Sequence, residues 1–87
     1  MPYRLEIKPQ PEKALEKIPN PYRSRITKAI ADLAHDPRPI NATKIVGSDI
    51  AYRVRVCDYR IIYEIFDRVL VIHIVRVAHR KDVYRGI

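Results

Sequence analysis

The chain has 87 residues, one cysteine and a formal net charge of +7, and these values limit its class. This length supports a single domain with one modest core over residues 1–87, and the lone Cys57 excludes an internal disulfide and a multi-cysteine metal site. No apolar run reaches the roughly 20 residues of a membrane span and no secretion signal follows Met1, so we expect a soluble, cytoplasmic protein. Its positive net charge favours anionic partners.

The first part of the chain contains all seven prolines, at positions between 2 and 39. Tyr3–Lys8 alternates apolar and charged residues, which predicts a first strand. Pro11 is expected to start a short helix that Pro19 stops. Asn20 and Pro21 are then expected to be the N-cap and the first residue of a second helix, whose apolar residues recur at helical spacing.

Beyond residue 39 the chain has no proline and alternates with the period of two that is typical of strands. Residues 36–43 are predicted to be a loop, Lys44–Val46 a short strand and Gly47–Asp49 a turn. Tight turns at Cys57-Asp58 and Asp67-Arg68 separate three further strands. The predicted fold class is α+β: an N-terminal strand, a two-helix hairpin and an antiparallel sheet of three to four strands, with a short C-terminal basic tail.

A two-residue loop at Cys57-Asp58 would fix the pairing of the strands on either side of it. Arg53, Arg55 and Arg60 then project from one face of the sheet. Arg55 lies directly opposite Arg60, and such a like-charge contact costs stability unless a polyanion binds there. The same register turns three tyrosines toward the core: Tyr52, Tyr59 and Tyr63.

The order of these segments resembles the RelE family of toxins, within the RelE/ParE superfamily of type II toxin–antitoxin systems. The resemblance rests on Tyr52–Val56, Asp58–Ile65, Val75–Arg80 and Val83–Arg85, and it covers almost the whole chain. It implies a RelE-like microbial RNase-type fold and an mRNA interferase activity. Such a toxin cleaves mRNA in the ribosomal A site, by attack of the ribose 2′-oxygen on the adjacent phosphate, and inhibits translation.

The resemblance also implies a role for each residue that matches the family's motifs. Arg60 matches the arginine that contacts the scissile phosphate, and Arg53 and Arg55 match a basic pair that stabilises the transition state. Arg80 matches the basic residue directed at the leaving group, and Tyr84 matches a tyrosine that is either the general base or a stacking platform. Further contacts to RNA or the ribosome are expected from Lys44, Lys81 and Arg85.

Two assignments in the tail stay open. Related branches place a histidine near His79, and histidine titrates in the useful range, whereas a tyrosine with its ordinary pKa of about 10 needs nearby positive charge to act as a base. The tail is shorter than in some relatives, so Arg76 and Lys81 remain alternatives to Arg80. By the hairpin register Arg76 falls on the apolar face near Tyr59, which favours a structural role.

Neither a metal nor another cofactor is implied by the resemblance. The sequence is consistent with this expectation, because it contains no clustered carboxylates and no His/Cys spacing that would hold a metal. His35, His73 and His79 are scattered along the chain. His73 lies within an apolar strand and is expected to be a hydrogen-bonded residue of the core or of the sheet surface.

The resemblance implies two partners: the ribosome with its mRNA, and a RelB-like antitoxin that is acidic, partly disordered and part of a hetero-oligomeric complex. An exposed basic face fits such an acidic segment. Two other functions remain open. A ParE-like inhibitor of DNA gyrase would act through protein contacts, and the arginines would be dispensable. In a catalytically degenerate RNA-binding module, substitutions would change only affinity and its salt dependence.

Overall fold

The computed structural model describes residues 2–83, the last two by their backbone alone, and contains one five-stranded sheet in the order β1-β5-β4-β3-β2. Two helices cover one face of this sheet, so the predicted α+β class is confirmed. In chain order the elements are β1 (Arg4–Ile7), α1 (Pro9–Lys17), α2 (Tyr22–Leu33), β2 (Ala42–Lys44), β3 (Ala51–Val56), β4 (Tyr59–Phe66), β5 (Val71–His79) and α3 (Arg80–Val83).

The N-terminal strand makes the sheet mixed rather than antiparallel throughout. β1 pairs in parallel with β5, with Arg4 beside Val71 and Ile7 beside Ile74. The other neighbouring strands are antiparallel, as expected. Parallel neighbours need a long connection, and here the helices and three strands lie between β1 and β5 in the chain. The alternation of residues in β1 shows that it is a strand but not which neighbour it joins.

Both helices start close to the predicted residues but not at them. α1 starts at Pro9 rather than Pro11, because a proline fits the first helical turn, where no N–H partner is needed. α2 starts at Tyr22, after a cis peptide bond at Asn20. The Asn20 side chain still serves the start of the helix, since its Oδ1 accepts the backbone N–H of Ser24 at 3.2 Å. Neither helix, nor any other in residues 2–83, is long and apolar enough to cross a membrane.

The core lies between the two helices and one face of the sheet. Its buried residues come from both layers: Ile18, Ile26, Ile30, Leu33, Val54, Ile61, Tyr63, Ile65, Ile72, Ile74 and Val77. Tyr63 is fully buried, and Tyr52 and Tyr59 pack against this core while partly exposed. The prediction that these tyrosines face inward is therefore confirmed, and the opposite face of the sheet is left for other contacts.

Two connections differ from their predicted form. The short strand expected at Lys44–Val46 lies at Ala42–Lys44, where it pairs with β3. It begins inside the segment predicted to be a loop, because pairing with a neighbouring strand decides the position of so short an element. The turn expected at Asp67-Arg68 extends to Leu70, which has a left-handed φ of 55°.

Candidate functional site

The face of the sheet opposite the helices carries arginines on three neighbouring strands. The predicted register of β3 and β4 is confirmed, with Arg55 opposite Arg60 and Arg53 opposite Ile62. On β5, Arg76 also lies opposite Ile62. Directly opposed residues project to the same face of a sheet. These residues therefore form one surface, which we call the arginine face: Arg53, Arg55, Arg60 and Arg76.

Arg76 is the member of this face that the sequence prediction placed wrongly. An uninterrupted ladder between β4 and β5 would turn it toward the core. In the structure Tyr63 pairs with Ile74 and Ile62 pairs with Arg76, so Val75 has no partner on β4. This β-bulge shifts the rest of β5 by one residue and moves every following side chain to the other face.

The arginines of this face differ in their surroundings. Arg60 and Arg76 are half-buried, and the other two are exposed. Arg55 bends toward the β3–β4 turn, where its Nε donates to the Cys57 carbonyl oxygen at 2.8 Å and a terminal nitrogen lies 3.5 Å from Asp58 Oδ1. Both partners of this ion pair are more than half exposed, at 58% and 56%. An anionic ligand can therefore draw Arg55 away from Asp58 at little cost.

The start of α3 borders the arginine face. The backbone N–H of Arg80 donates to the Asp58 carbonyl oxygen at 2.7 Å, which ties α3 to the turn between β3 and β4. This contact places the start of α3 next to the turn from which β4, the strand that carries Arg60, begins. The Arg80 side chain is exposed. The other tail residues predicted to act here, Tyr84 and Arg85, lie outside the described residues.

His79 lies on the other side of the sheet from the arginines. It ends β5 opposite Tyr59, and the two rings meet edge to face with their centroids 5.2 Å apart. Its Nδ1 accepts the backbone N–H of Lys81 at 3.3 Å. In the neutral ring Nε2 then carries the proton. The structure therefore does not bring His79 together with Arg60.

The remaining predicted RNA contacts are spread over the surface. Lys44 is opposite Tyr52 in the β2–β3 pair, so it projects to the helix side of the sheet. Lys81 is exposed in α3. Within residues 2–83, no group of three or more His, Cys, Asp or Glu side chains is arranged to hold a metal ion.

An acidic row borders the arginine face on the side of the β4–β5 turn. His73 on β5 lies between Glu6 on β1 and Glu64 on β4. Its Nε2 is 3.7 Å from Glu6 Oε2, and its ring centroid is 4.8 Å from that of Phe66. Hydrogen bonding from Arg4 is the main cause that lowers the pKa of Glu6. Of the two positions that the sequence prediction left open for His73, core or sheet surface, the structure shows the sheet surface, and the two carboxylates make this row less favourable to anions than the arginine face.

A polar cluster that the sequence did not reveal lies at the other end of the sheet from the Cys57 turn. A terminal nitrogen of Arg38 is 2.8 Å from Asp67 Oδ2, and Arg38 Nε donates to the Tyr52 hydroxyl at 3.2 Å. The Tyr3 hydroxyl donates to Asp67 at 2.6 Å. Bonds from Arg38 and Tyr3 hold the pKa of Asp67 below its ordinary value. The cluster joins the loop after α2 to β3, to the residue before β1 and to the turn after β4.

The mixed sheet, the helix pair and the arginine face define a small, basic protein of the RelE-like fold. A family model described as the ParE toxin of the type II toxin-antitoxin system parDE matches residues 5–84. The chain belongs to this family, within the RelE/ParE superfamily.

Solved structures support the same assignment. The RelE–RelB complex from Pyrococcus horikoshii OT3 holds a chain 32% identical to this one, with a TM-score of 0.82, and the match covers 92% of this chain and 97% of that one. The RelB–RelE complex from Methanococcus jannaschii gives 28% identity and a TM-score of 0.77, covering 93% and 96%. The isolated E. coli RelE toxin, at 21% identity, a TM-score of 0.76 and coverage of 98% and 99%, shares the fold. Comparison with curated protein sequences gives no match.

Proposed function

We propose that the chain is the toxin of a type II toxin–antitoxin pair, with residues 1–87 as one toxin domain, and that it is a ribosome-dependent mRNA endonuclease. The observation that carries this proposal is the arginine face, with cations on three neighbouring strands. Guanidinium groups stay charged at every physiological pH and bind phosphate oxygens through parallel donors. A broad cationic face suits the backbone of a single RNA strand.

The proposed reaction is a metal-independent transesterification. A base removes the proton of a ribose 2′-hydroxyl, and the 2′-oxygen attacks the adjacent phosphorus. The bond from phosphorus to the 5′-oxygen then breaks, and an acid protonates that oxygen. The products are a 2′,3′-cyclic phosphate and a 5′-hydroxyl. Because the intermediate phosphorane gains negative charge, fixed cations supply the main stabilisation.

Arg60 is assigned to the scissile phosphate because it lies at the middle of the arginine face, between Arg55 on β3 and Ala78 on β5. Arg53 and Arg55 are assigned to the charge of the transition state. Arg80 is assigned to the leaving oxygen, since it is exposed where α3 meets the same turn.

Tyr84 is assigned as the general base, and the positive charge of Arg80 and Arg85 would favour its deprotonated form. His79 is the alternative. Its position argues against it, because its ring is on the helix side of the sheet and its Nδ1 already accepts the N–H of Lys81. To act as a base at the arginine face, His79 would have to give up this hydrogen bond.

The arginine face is proposed to bind both the mRNA on the ribosome and the antitoxin in the cytoplasm, and residues outside this face contribute further contacts to the ribosome. Lys44, Lys81 and Arg85 add contacts to ribosomal RNA. The antitoxin is a RelB-like, acidic and partly disordered protein that forms a hetero-oligomer with this chain. Relatives from Pyrococcus horikoshii and Methanococcus jannaschii were solved as complexes with RelB. Acidic segments that fold on binding can cover a large basic surface.

The test is cleavage of a defined mRNA on purified ribosomes, mapped by primer extension. We expect the native chain to cut in the vacant A site and to cut free RNA poorly. Arg60→Ala should lower the rate by about 10²–10³-fold, as is typical when a group that stabilises the transition-state charge is removed. Arg68→Ala is the matched control, because it removes one exposed arginine from the turn after β4.

Tyr84→Phe tests the general base in the same assay. A nearly full rate in this variant would transfer the role to His79. If the native chain binds the ribosome and cuts nothing, the nuclease assignment is wrong, and a gyrase inhibitor or a plain RNA-binding module remains.

The description of the matching family favours a second candidate, an inhibitor of DNA gyrase, since the family model is that of the ParE toxin. Such an inhibitor acts through protein contacts rather than through phosphate binding. Arg60→Ala would then inhibit DNA supercoiling as strongly as the native chain does. Inhibition of supercoiling together with no cleavage on ribosomes would establish this candidate.

A further inference from the structure

Gln10 in α1 bonds to the backbone of β5 directly after the bulge. Its Nε2 donates to the Val77 carbonyl oxygen at 3.2 Å, and its Oε1 accepts the Val77 N–H at 3.1 Å. On this edge of β5, the hydrogen bonds from the backbone of β1 end with Lys8, the residue after β1, whose N–H donates to the Ile74 carbonyl oxygen at 3.0 Å. The Gln10 amide therefore occupies the place of a strand residue and extends the β1 edge past the point where β1 ends.

This arrangement holds β5 from both sides at Val77. On one side Val77 pairs with Ile61 of β4, and on the other it bonds to Gln10. A bulge weakens the regular ladder and allows alternative registers. In the alternative register without the bulge, Arg76 would turn toward the core. Gln10 fixes the residue that follows Arg76 and so favours the register that keeps Arg76 on the arginine face.

We propose that Arg76 is an additional phosphate-binding residue of the arginine face and that Gln10 is the residue that positions it. The proposal rests on the proposed function, since it takes the ligand to be a single strand of RNA. Arg76 shares a row with Arg53, and Arg60 is in the next row. Diagonal neighbours on a sheet are about 7–8 Å apart, within reach of arginine side chains. Arg60 and Arg76 can therefore hold different phosphates of one strand.

Arg76 lies at the edge of the arginine face, next to the acidic row. The next row beyond Arg76 holds His73 between Glu6 and Glu64. Arg4 offsets the charge of Glu6 through an ion pair at 3.2 Å, so this row lacks the positive charge that the arginine face offers to an RNA backbone. Arg76 is therefore the last arginine of the face on this side. It thus sets how far the bound strand extends toward the β4–β5 turn.

Binding of a fluorescent single-stranded RNA oligonucleotide, followed by anisotropy over a series of NaCl concentrations, tests the role of Arg76 without any need for cleavage. We expect Arg76→Ala to weaken binding by roughly tenfold, as for one lost charged hydrogen-bonding contact. The slope of log K against log salt should fall by about 0.7, the value for one phosphate on a single strand. Arg76→Lys should restore most of the slope, and Arg68→Ala should leave both quantities unchanged.

Gln10→Leu tests the positioning role, because leucine has a similar size and makes neither hydrogen bond. It should weaken RNA binding several-fold in the native background and have no effect on binding in the Arg76→Ala background. A merely structural role would lower the thermal midpoint equally in both backgrounds and would leave the RNA affinity of both unchanged. Gln10→Glu keeps an acceptor for the Val77 N–H but sets a carboxylate against the Val77 carbonyl, so it should resemble Gln10→Leu.

The outcomes separate this proposal from the proposed function. If the native chain binds RNA and cuts mRNA on ribosomes while Arg76→Ala keeps the native affinity and salt slope, the role of Arg76 is wrong and the nuclease assignment stands. If binding effects of Gln10→Leu and Arg76→Ala simply add, Gln10 does not act through Arg76. If the native chain binds no single-stranded RNA, the phosphate-binding role of Arg76 is wrong, and the cleavage assay on ribosomes decides the nuclease assignment separately.

Discussion

Arg55 and Arg60 lie directly opposite each other on β3 and β4, with both side chains on the same face of the sheet. Opposed residues in such a pair have Cβ atoms only about 4.5–5.5 Å apart, so two like charges repel. Asp58 offsets this repulsion only in part, because its ion pair with Arg55 is exposed to solvent. If the chain binds RNA as proposed, the phosphates of the bound strand would turn this repulsion into an attraction.

Removal of one charge from this pair should stabilise the free protein. We expect Arg55→Gln to raise the free energy of unfolding by about 0.2–1 kcal/mol at low salt, since glutamine still offers a donor to the turn. High salt should shrink the gain by screening the repulsion. Arg53→Gln is the control, because Arg53 lies opposite Ile62. Urea unfolding at two salt concentrations measures both variants, and an equal gain in both would indicate an effect of net charge alone.

The hairpin register was predictable because its signals are local. A two-residue loop at Cys57-Asp58 joins two segments that both alternate, and this combination leaves one pairing that buries Val54 against Ile61. The arginine pair follows from that register. The inward position of the tyrosines follows from it too, since they share the period of the buried residues.

The bulge and the polar cluster were not predictable, for different physical reasons. The bulge depends on how β5 fits β4 and on the side chain of Gln10, which is 67 residues away from Val77 in the sequence. The cluster joins Tyr3, Arg38 and Asp67, which meet only after the sheet has formed. Contacts of this kind leave no periodic signal, so alternation alone assigned Arg76 to the wrong face.

The Asp67 cluster should make stability depend on pH under acidic conditions. Hydrogen bonds from Arg38 and Tyr3 lower the pKa of Asp67 from its ordinary value of 3.8. As the pH falls, the Asp67 carboxylate is therefore protonated in the unfolded chain before it is protonated in the folded chain. The stability that Asp67 contributes is present above pH 3.8 and is lost as the pH falls through the pKa of the folded state. Asp67→Asn should be less stable than the native chain at pH 6 and should lose less stability on acidification.

Urea unfolding at several pH values between about 2 and 6 measures this dependence, a range that brackets the ordinary pKa of an aspartate. Asp49→Asn is the control, since Asp49 is an exposed carboxylate in the connection between β2 and β3. Parallel curves for Asp67→Asn and the native chain would mean that the cluster does not hold the carboxylate in its charged form.

Tyr63 should link stability to pH in the alkaline range. It is fully buried, and its hydroxyl donates to the Pro37 carbonyl oxygen at 2.7 Å. Tyr63→Phe should therefore lower the free energy of unfolding by about 1 kcal/mol at neutral pH. Burial raises the pKa of Tyr63 to about 12 from 10.0. As the pH rises, the unfolded chain releases the Tyr63 hydroxyl proton before the folded chain does. The stability that the buried neutral hydroxyl contributes is therefore complete below pH 10.0 and is lost as the pH rises toward 12.

The native chain should thus lose stability between pH 10 and 12 more steeply than Tyr63→Phe, a difference that urea unfolding at each pH measures. Tyr22→Phe is the control, because Tyr22 is an exposed tyrosine of α2 and keeps its ring in the variant. The assignment would be contradicted by an alkaline slope in Tyr63→Phe as steep as that of the native chain.

Cys57 occupies the first position of the β3–β4 turn with a left-handed φ of 56°. A residue with a Cβ atom is strained there by about 1–2 kcal/mol, whereas glycine adopts this conformation freely. The thiol makes only a weak contact in return, with Sγ 3.6 Å from a terminal nitrogen of Arg25. The turn therefore stores a small strain next to the arginine pair that it aligns.

Comparison of Cys57→Gly with Cys57→Ala separates the backbone strain from the thiol contact. Both variants lose the thiol, but only alanine keeps the strain, so Cys57→Gly should be more stable than Cys57→Ala by about 1 kcal/mol after allowance for the greater freedom of glycine in the unfolded chain. Urea unfolding measures this difference, and equal stabilities would show that the turn carries no strain at Cys57. Because the loop keeps two residues in both variants, the Arg55/Arg60 pairing is retained, and we expect both to bind RNA like the native chain.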